Sequence, residues 1–138
     1  MSKFIVTGGA GFIGSHLVDN LVERGCEIVV IDNLSSGKIT NLQRSIDSIE
    51  FQHISIEDID MSQFHDIKAV FHLAAQASVH LSIKNFYQSS STNVLGALKI
   101  IEYCSNNRVP LVYASSSAIY GNRPIGIEGD SVDILSPY

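Results

Sequence analysis

A glycine-rich segment, Gly8 to Gly14, separates a short apolar run from a longer amphipathic stretch. The run Lys3–Thr7 is mostly apolar with a β-branched end, which predicts a buried strand. Beyond the glycines, apolar residues recur at three- and four-residue steps and predict a helix that ends near Gly25. The segment fits two patterns, G-x-G-x-x-G from Gly9 and G-x-x-G-x-x-G from Gly8. A glycine turn between a strand and a helix is typical of a dinucleotide-binding unit, because the turn must be tight and the backbone must approach a pyrophosphate.

Short β-rich runs alternate with helical stretches along the rest of the chain. Further strands are predicted at residues 27–32, 49–53, 69–73 and 111–115, with a loop over 33–41 and a long helix over about 86–106. The run 27–32 is apolar almost throughout, as expected for a parallel sheet covered on both faces. The alternation predicts an α/β fold, a doubly wound parallel sheet of Rossmann-like type. Ligands bind such sheets beyond the carboxyl ends of the strands, so the residues that follow each strand form the candidate site.

Length, charge and cysteine content exclude several other classes of protein. The 138 residues correspond to one domain, and the net charge of −5 argues against a nucleic-acid partner that needs a basic face. No stretch approaches the ~18 consecutive apolar residues of a membrane span, so no membrane partner is expected. The two cysteines are far apart and the histidines share no spacing, which predicts no metal site and a reducing compartment. The sequence therefore predicts a soluble, cytoplasmic protein.

An acidic residue, Asp32, closes the second predicted strand. It lies 18 residues beyond Gly14, close to the ~20 residues expected for the acid that binds the adenosine ribose. A carboxylate there accepts hydrogen bonds from the ribose hydroxyls and repels a 2′-phosphate, so NAD is predicted in preference to NADP.

Five segments carry a resemblance to a known family. They are T-G-G-A-G-F-I-G-S-H-L at 7–17, D-N-L-S-S-G at 32–37, H-L-A-A-Q-A-S-V at 72–79, S-S-S-A-I-Y-G at 115–121 and S-P-Y at 136–138. With these segments the chain resembles the NAD-dependent nucleotide-sugar epimerases and dehydratases of the extended short-chain dehydrogenase/reductase superfamily, and among them the UDP-sugar 4-epimerases. The likeness runs the full length of the sequence.

The resemblance implies NAD as the cofactor and names residues that bind it. The pair Asp58-Ile59 would meet adenine, the segment 72–79 would line the cofactor, and Asn93 would lie near the nicotinamide half. The implied cofactor-binding residues are Gly8, Gly11, Phe12, Ile13, Gly14, Asp32, Asn33, Ser36, Gly37, Asp58, Ile59, Leu73, Ala74, Ala75 and Asn93.

The resemblance also implies a reaction, the 4-epimerisation of a UDP-sugar through a 4-keto intermediate, with hydride removed from the sugar and then returned. The family's catalytic Ser or Thr lies four residues before the Tyr of a Tyr-Gly pair, which here makes it Ser116. The tyrosine of the family's S-P-Y-x-x-x-K motif corresponds to Tyr138. The implied partner is the UDP-sugar substrate, and the implied substrate-binding residues are Ser78, Ser116 and Ser117.

The sequence departs from the family pattern at its end. It stops at Tyr138, before the motif's lysine, so we interpret residues 1–138 as the NAD-binding part of a longer enzyme that lacks the C-terminal substrate-binding part. In the full-length form a homodimer through the long helix is expected from the family. The lysine would help to lower the tyrosine pKa from about 10, so without it the chain alone is predicted to be inactive.

Two alternatives to a 4-epimerase remain open. One is another enzyme of the same superfamily, a dehydratase, decarboxylase or reductase; the pair Ser117-Ala118 stands where dehydratases generally have Asp-Glu, which disfavours dehydration. The other is a non-catalytic NAD-binding fragment. A further candidate, His72, ends an apolar strand and is predicted to be a packed core histidine instead of a base.

Overall fold

The computed structural model describes residues 1–129 and 131–135, and its centre is a five-stranded parallel sheet. The strands are β1 (Lys3–Thr7), β2 (Glu27–Asp32), β3 (Ile49–His53), β4 (Ile67–His72) and β5 (Leu111–Tyr113). They lie side by side in the order β3-β2-β1-β4-β5. Because the chain moves outward from β1 in both directions, the loops after β1 and β4 diverge and leave a crevice at the carboxyl edge of the sheet.

Helices connect these strands and cover both faces of the sheet. Helix α1 (Phe12–Glu23) joins β1 to β2. A broken helical stretch precedes β5 and comprises α2 (Val79–Lys84), α3 (Phe86–Ser90), a π-helical turn (Ser91–Leu95) and α4 (Gly96–Asn107). Short 3₁₀ turns lie at Ile39–Leu42, Ile46–Ser48, Met61–Gln63 and Ser117–Tyr120.

Each face of the sheet has its own apolar core. One core contains Val18 and Leu21 of α1, and the other contains Ile100 and Tyr103 of α4. The Tyr103 hydroxyl, buried in the second core, donates to the carbonyl of Phe64 at 3.1 Å. Because alternate residues of β1 and β2 point into different cores, both strands are apolar at nearly every position. The predicted doubly wound α/β fold is confirmed.

The element boundaries differ from the prediction at several places. Strands β1, β2 and β3 match, whereas β4 begins at Ile67 and β5 ends at Tyr113, two residues earlier than predicted in each case. The predicted long helix is divided by the π-helical turn, and α2 was not predicted at all. Helix α2 begins where the Ser78 hydroxyl accepts a hydrogen bond from the Leu81 N–H, and this cap is the one sequence signal of its start. Within the described residues, the structure contains no helix of the length and apolarity that a membrane crossing requires.

Candidate dinucleotide-binding site

A cleft of about 770 Å³ opens at the carboxyl edge of the sheet, where the strand order reverses. This volume is within the range typical of small-molecule and cofactor sites. The cleft is lined by most of the predicted cofactor-binding residues: Gly8, Gly11, Phe12, Ile13, Gly14, Asp32, Asn33, Ser36, Gly37, Leu73, Ala74, Ala75 and Asn93. The topology thus brings together residues from the loops after β1, β2 and β4 and from the π-helical turn.

The three glycines at positions 8, 11 and 14 have different surroundings. Gly8 has φ +70, and a Cβ there would lie 2.7 Å from the Ala74 nitrogen. A Cβ on Gly14 would collide with the Gly8 carbonyl, so this glycine lets α1 approach β1 closely. A Cβ on Gly11 would meet only the Gly8 oxygen, at 3.2 Å, and Gly11 lines the cleft. The geometry therefore favours the pattern that starts at Gly8, with Gly11 as the position that leaves room for a ligand.

The N-terminus of α1 opens onto the cleft without a side-chain cap. Gly11 is the capping residue and makes no side-chain hydrogen bond, and the first turn contains no acidic residue. The unpaired N–H groups and the positive end of the helix dipole are therefore available to an anion. Phe12 and Ile13 line the cleft beside them and are largely exposed.

The carboxylate of Asp32 joins two loops at the end of β2. Its Oδ2 accepts from the Ala10 N–H at 2.9 Å, and its Oδ1 accepts from the Leu34 N–H at 2.8 Å. Leu34 has φ 58, an uncommon conformation for leucine. Each oxygen still has a second lone pair, so Asp32 retains the capacity to accept from ligand hydroxyls.

A buried network lies beneath the cleft at the ends of β1 and β4. The Thr7 hydroxyl accepts from the N–H groups of Leu73 and Ala74, and it lies 2.7 Å from Nδ1 of His72. Since Thr7 already accepts twice, it donates its proton to Nδ1, which leaves the imidazole proton on Nε2. His72 is 3% exposed, its ring lies against that of Tyr113, and burial lowers its pKa from 6.5 to about 4. His72 is therefore a packed, neutral, hydrogen-bonded core histidine, as predicted.

Asn93 lies in the π-helical turn and holds the loop after β4. Its Oδ1 accepts from the Gln76 N–H at 2.8 Å, and its Nδ2 donates to the Gln76 carbonyl at 3.2 Å. Both residues line the cleft. Short π-helical turns often occur at functional sites, and this one presents Asn93 to a backbone segment that lines the cavity.

The predicted adenine-binding pair, Asp58-Ile59, lies at the margin of the cleft and not among its lining residues. Ile59 is buried in one of the two cores, and Asp58 is exposed. The neighbouring Glu57 lines the cleft, and its Oε1 accepts from the Thr92 hydroxyl at 3.1 Å. The Lys99 ammonium donates to the carbonyls of Glu57 and Ile59, which fixes this segment to α4. The role of Asp58-Ile59 toward adenine stays a prediction.

Ser116 lies where the cleft meets a second cavity of about 590 Å³. Its Oγ accepts from the Ala118 N–H at 3.1 Å and begins the 3₁₀ turn Ser117–Tyr120. Because that bond uses only an acceptor site, the hydroxyl proton remains available to a ligand. Ala77 also lines both cavities, so the two cavities adjoin at Ser116 and Ala77.

The remaining predicted substrate-binding and catalytic residues differ in whether they line a cavity. Ser117 lines the second cavity. Ser78 caps α2 and lines neither cavity, so the structure gives it a capping role and its contact with substrate stays a prediction. Tyr138 lies outside the described residues, and its catalytic role stays a prediction. Among residues 1–129 and 131–135, no three His, Cys, Asp or Glu side chains are grouped closely enough to hold a metal ion.

Comparison with known proteins identifies the family. Residues 4–138 match the NAD dependent epimerase/dehydratase family. The chain belongs to this family. A crystal structure of UDP-glucose 4-epimerase from Thermotoga maritima with UDP-glucose is 41% identical over 99% of the chain, with a TM-score of 0.87. The Thermus thermophilus UDP-glucose 4-epimerase complex with NAD is 38% identical over 99% of the chain, with a TM-score of 0.84.

Not all similar members of the epimerase/dehydratase family are 4-epimerases. UDP-glucuronic acid decarboxylase 1 from Arabidopsis thaliana is 36% identical over 87% of the chain. The chain spans less than half the length of these relatives, 46% of each of the two 4-epimerase chains and 27% of the decarboxylase. The predicted family and its NAD dependence are confirmed. The similar relatives catalyse two different reactions, 4-epimerisation and decarboxylation, so they do not single out one activity.

The residues of this family member fit the dinucleotide. The space left by the missing Cβ of Gly11 and the uncapped N-terminus of α1 suit a pyrophosphate, and Asp32 suits the ribose hydroxyls. The cleft continues from there along Leu73 and Ala74 toward Ser116, which gives room for a second nucleoside. The N–H groups at the start of α1 are the hydrogen-bond donors for the pyrophosphate, and the Asp32 carboxylate is the acceptor for the ribose.

Several residues that line the cleft were missed by sequence reasoning. They are Ile31, Ser35, Ile54, Ile56, Glu57, Gln88, Thr92, Val94, Tyr113, Ala114, Ser115 and Ile119. Most of them belong to the same loops between strands as the predicted residues. The sequence signal that could have located them is their position after a predicted strand. Gln88 and Thr92 lie on the helical stretch instead, and nothing in the sequence showed which face of that stretch meets the cleft.

Proposed function

We propose that this chain supplies the NAD-binding domain of a UDP-sugar 4-epimerase. The observation that carries the proposal is that the dinucleotide cleft adjoins a second cavity at Ser116, in a chain that shares about two-fifths of its residues with a 4-epimerase. The first cavity suits the cofactor, and the second offers a place for the sugar of the substrate. The cytoplasmic location and the homodimer expected from the sequence stay predictions.

Different residues of the cleft are proposed to bind different parts of the dinucleotide. The turn around Gly11 and the N-terminus of α1 hold the pyrophosphate, while Asp32 holds the adenosine ribose. Asn93 fixes the backbone of Gln76 on the nicotinamide side. When bound, NAD accepts a hydride from a sugar carbon and returns it.

Ser116 is the residue of the described chain best placed to contact the reacting sugar. Its hydroxyl proton is free, and its Oγ is held in place by the Ala118 N–H. It can therefore donate a hydrogen bond to the sugar oxygen that loses or regains a proton. Ser117 lines the sugar side of the same turn, and Tyr138 is the proposed base that takes the proton.

Two other functions are kept, each for a specific observation. A UDP-glucuronic acid decarboxylase is supported by a relative only slightly less similar than the 4-epimerases. Dehydration is less well supported, because Ser117 and Ala118 provide no acid and base after Ser116. A domain that binds NAD without catalysis remains a third reading, because the described residues already line a cleft that suits the dinucleotide.

The test is an activity screen, with NAD, on the full-length protein that contains residues 1–138. UDP-glucose, UDP-N-acetylglucosamine and UDP-glucuronic acid are supplied separately, and products are followed by proton NMR against a Ser116→Ala variant. The formation of the C4 epimer, lost in the variant, supports a 4-epimerase. Release of carbon dioxide with a UDP-pentose supports the decarboxylase instead. NAD binding without conversion of any of the three substrates supports the non-catalytic domain.

A further inference from the structure

One residue of the glycine turn, Ala10, is held at both its N–H and its carbonyl by the end of β2 and the loop that follows it. The Ala10 N–H donates to Asp32 Oδ2 at 2.9 Å. The Ala10 carbonyl accepts twice, from the Lys38 N–H at 3.1 Å and from Asn41 Nδ2 at 2.8 Å. Gly37 lies directly against the same group, since a Cβ on Gly37 would be 2.9 Å from the Ala10 oxygen. The end of β2 and three residues of the following segment thus converge on Ala10, which is itself fully buried.

These bonds determine the orientation of the backbone at Gly11. The Ala10 carbonyl and the Gly11 N–H belong to one planar peptide unit, so fixing the oxygen also fixes the direction of the N–H. That N–H donates to the Gly8 carbonyl at 3.1 Å and closes the turn. Gly11 then begins α1 and leaves the free space in the cleft.

Among the groups that hold Ala10, Asn41 is the side chain that lies away from the cleft. Asp32 and Gly37 line the cavity, whereas Asn41 does not, and Lys38 contributes only its backbone. A change at Asn41 therefore alters the support of the turn without removing a surface that a ligand would touch.

We propose that Asn41 is a positioning residue for pyrophosphate binding and acts through the carbonyl of Ala10. This inference rests on the proposed binding of NAD. It adds a residue outside the segment 32–37, which contains the proposed ribose-binding Asp32. Through Asn41, the loop that follows β2 determines the shape of the phosphate-binding turn as well as the ribose contact.

The experiment measures two ligands by calorimetry on the 138-residue chain. NAD contains the pyrophosphate, and adenosine contains only the part that Asp32 would hold. Two variants remove the donor while keeping the size of the side chain, Asn41→Leu and Asn41→Asp. The control is Asn107→Leu, because Asn107 Nδ2 also donates to a backbone carbonyl, that of Tyr103 at 2.8 Å, and lies at the far end of α4.

We expect both Asn41 variants to bind NAD about tenfold more weakly, as expected for the loss of one well-placed hydrogen bond. Their affinity for adenosine should remain within twofold of the wild-type value, and the control should bind both ligands normally. NAD affinity within twofold of wild type in both variants overturns the inference, as does an equal loss for NAD and adenosine. A wild-type chain that binds neither ligand overturns the proposed NAD site, and the inference with it.

A measurement on the wild-type chain covers the case in which the variants do not fold. The side-chain amide protons of Asn41 should exchange with solvent more slowly than those of the exposed Asn20, because one of them is bonded to Ala10. Equal exchange rates for the two side chains would overturn the inference.

Discussion

Asp32 combines a structural and a ligand-binding capacity in one carboxylate. It holds the N–H groups of Ala10 and Leu34, and it keeps a lone pair on each oxygen for the ribose. Replacement by alanine removes both the ribose acceptor and the charge that repels a 2′-phosphate. We expect Asp32→Ala to weaken NAD binding at least tenfold and to reduce the preference for NAD over NADP to less than threefold.

Calorimetric titration of both cofactors checks this expectation, with the exposed Asp47 replaced by alanine as the control. A wild-type chain with equal affinity for NAD and NADP would contradict the role assigned to Asp32.

Gly11 allows the phosphate site to be tested without disturbing the fold. Its φ of −75 and ψ of 177 are open to any residue, and a Cβ there meets only the Gly8 oxygen. A valine should therefore fold normally and fill the space needed by the pyrophosphate, with a loss of NAD affinity of about a hundredfold or more. Gly14→Val should instead unfold the chain, because its Cβ would collide with the backbone of Gly8 and Gly9.

Circular dichroism and NAD titration of the Gly11 and Gly14 variants separate the two effects. Gly11→Ala adds a single carbon and should give an intermediate affinity. Undiminished NAD binding in a folded Gly11→Val variant would place the pyrophosphate elsewhere.

At the scale of elements, the π-helical turn connects the helical stretch to the cleft. Asn93 makes two hydrogen bonds to the backbone of Gln76, and Asn93→Leu removes both. Because these bonds support the loop proposed to lie on the nicotinamide side, the variant should lose about tenfold in affinity for NAD and less than threefold for ADP-ribose, which lacks nicotinamide. Calorimetry with the two ligands measures the difference. Equal losses of affinity for NAD and ADP-ribose would show that Asn93 stabilises the fold in general and has no particular effect on the nicotinamide side.

The elements that sequence reasoning located are those with a strong local signal. Strands β1 to β3 are short apolar or alternating runs between turn residues, and the segment Gly8 to Gly14 has a recognisable spacing of glycines at positions where a Cβ would clash or face the cleft. The π-helical turn and α2 depend instead on contacts between distant parts of the chain, such as Thr92 with Glu57. For the same reason Asp32 was found from its spacing, whereas Asn41 and Lys99 were not, since their bonds to Ala10 and Glu57 join residues 31 and 42 positions apart.

In the whole molecule, the cleft and the two cores meet at the ends of β1 and β4. Thr7 and His72 are both buried there, and their bond links the neighbouring strands just below the loop at Leu73 and Ala74. The stability of the sheet and the shape of the cleft therefore depend on the same pair of side chains. Protonation of His72 would oppose both, because Thr7 has no further acceptor site for a second imidazole donor.

This coupling predicts that the chain loses stability in mild acid. Burial lowers the His72 pKa to about 4 in the folded chain, against 6.5 when it is unfolded. Between these values the unfolded chain binds more protons, so the free energy of unfolding falls as the pH is lowered from about 6.5 toward 4. From pH 7.5 to pH 5 the loss due to His72 is about 2 kcal/mol. Urea unfolding at several pH values measures it, and His72→Gln should remove that part of the slope while the exposed His53→Gln control keeps it. A wild-type chain whose slope matches that of His72→Gln would show that His72 titrates alike in both states, and that its burial and its bond to Thr7 do not govern the acid response.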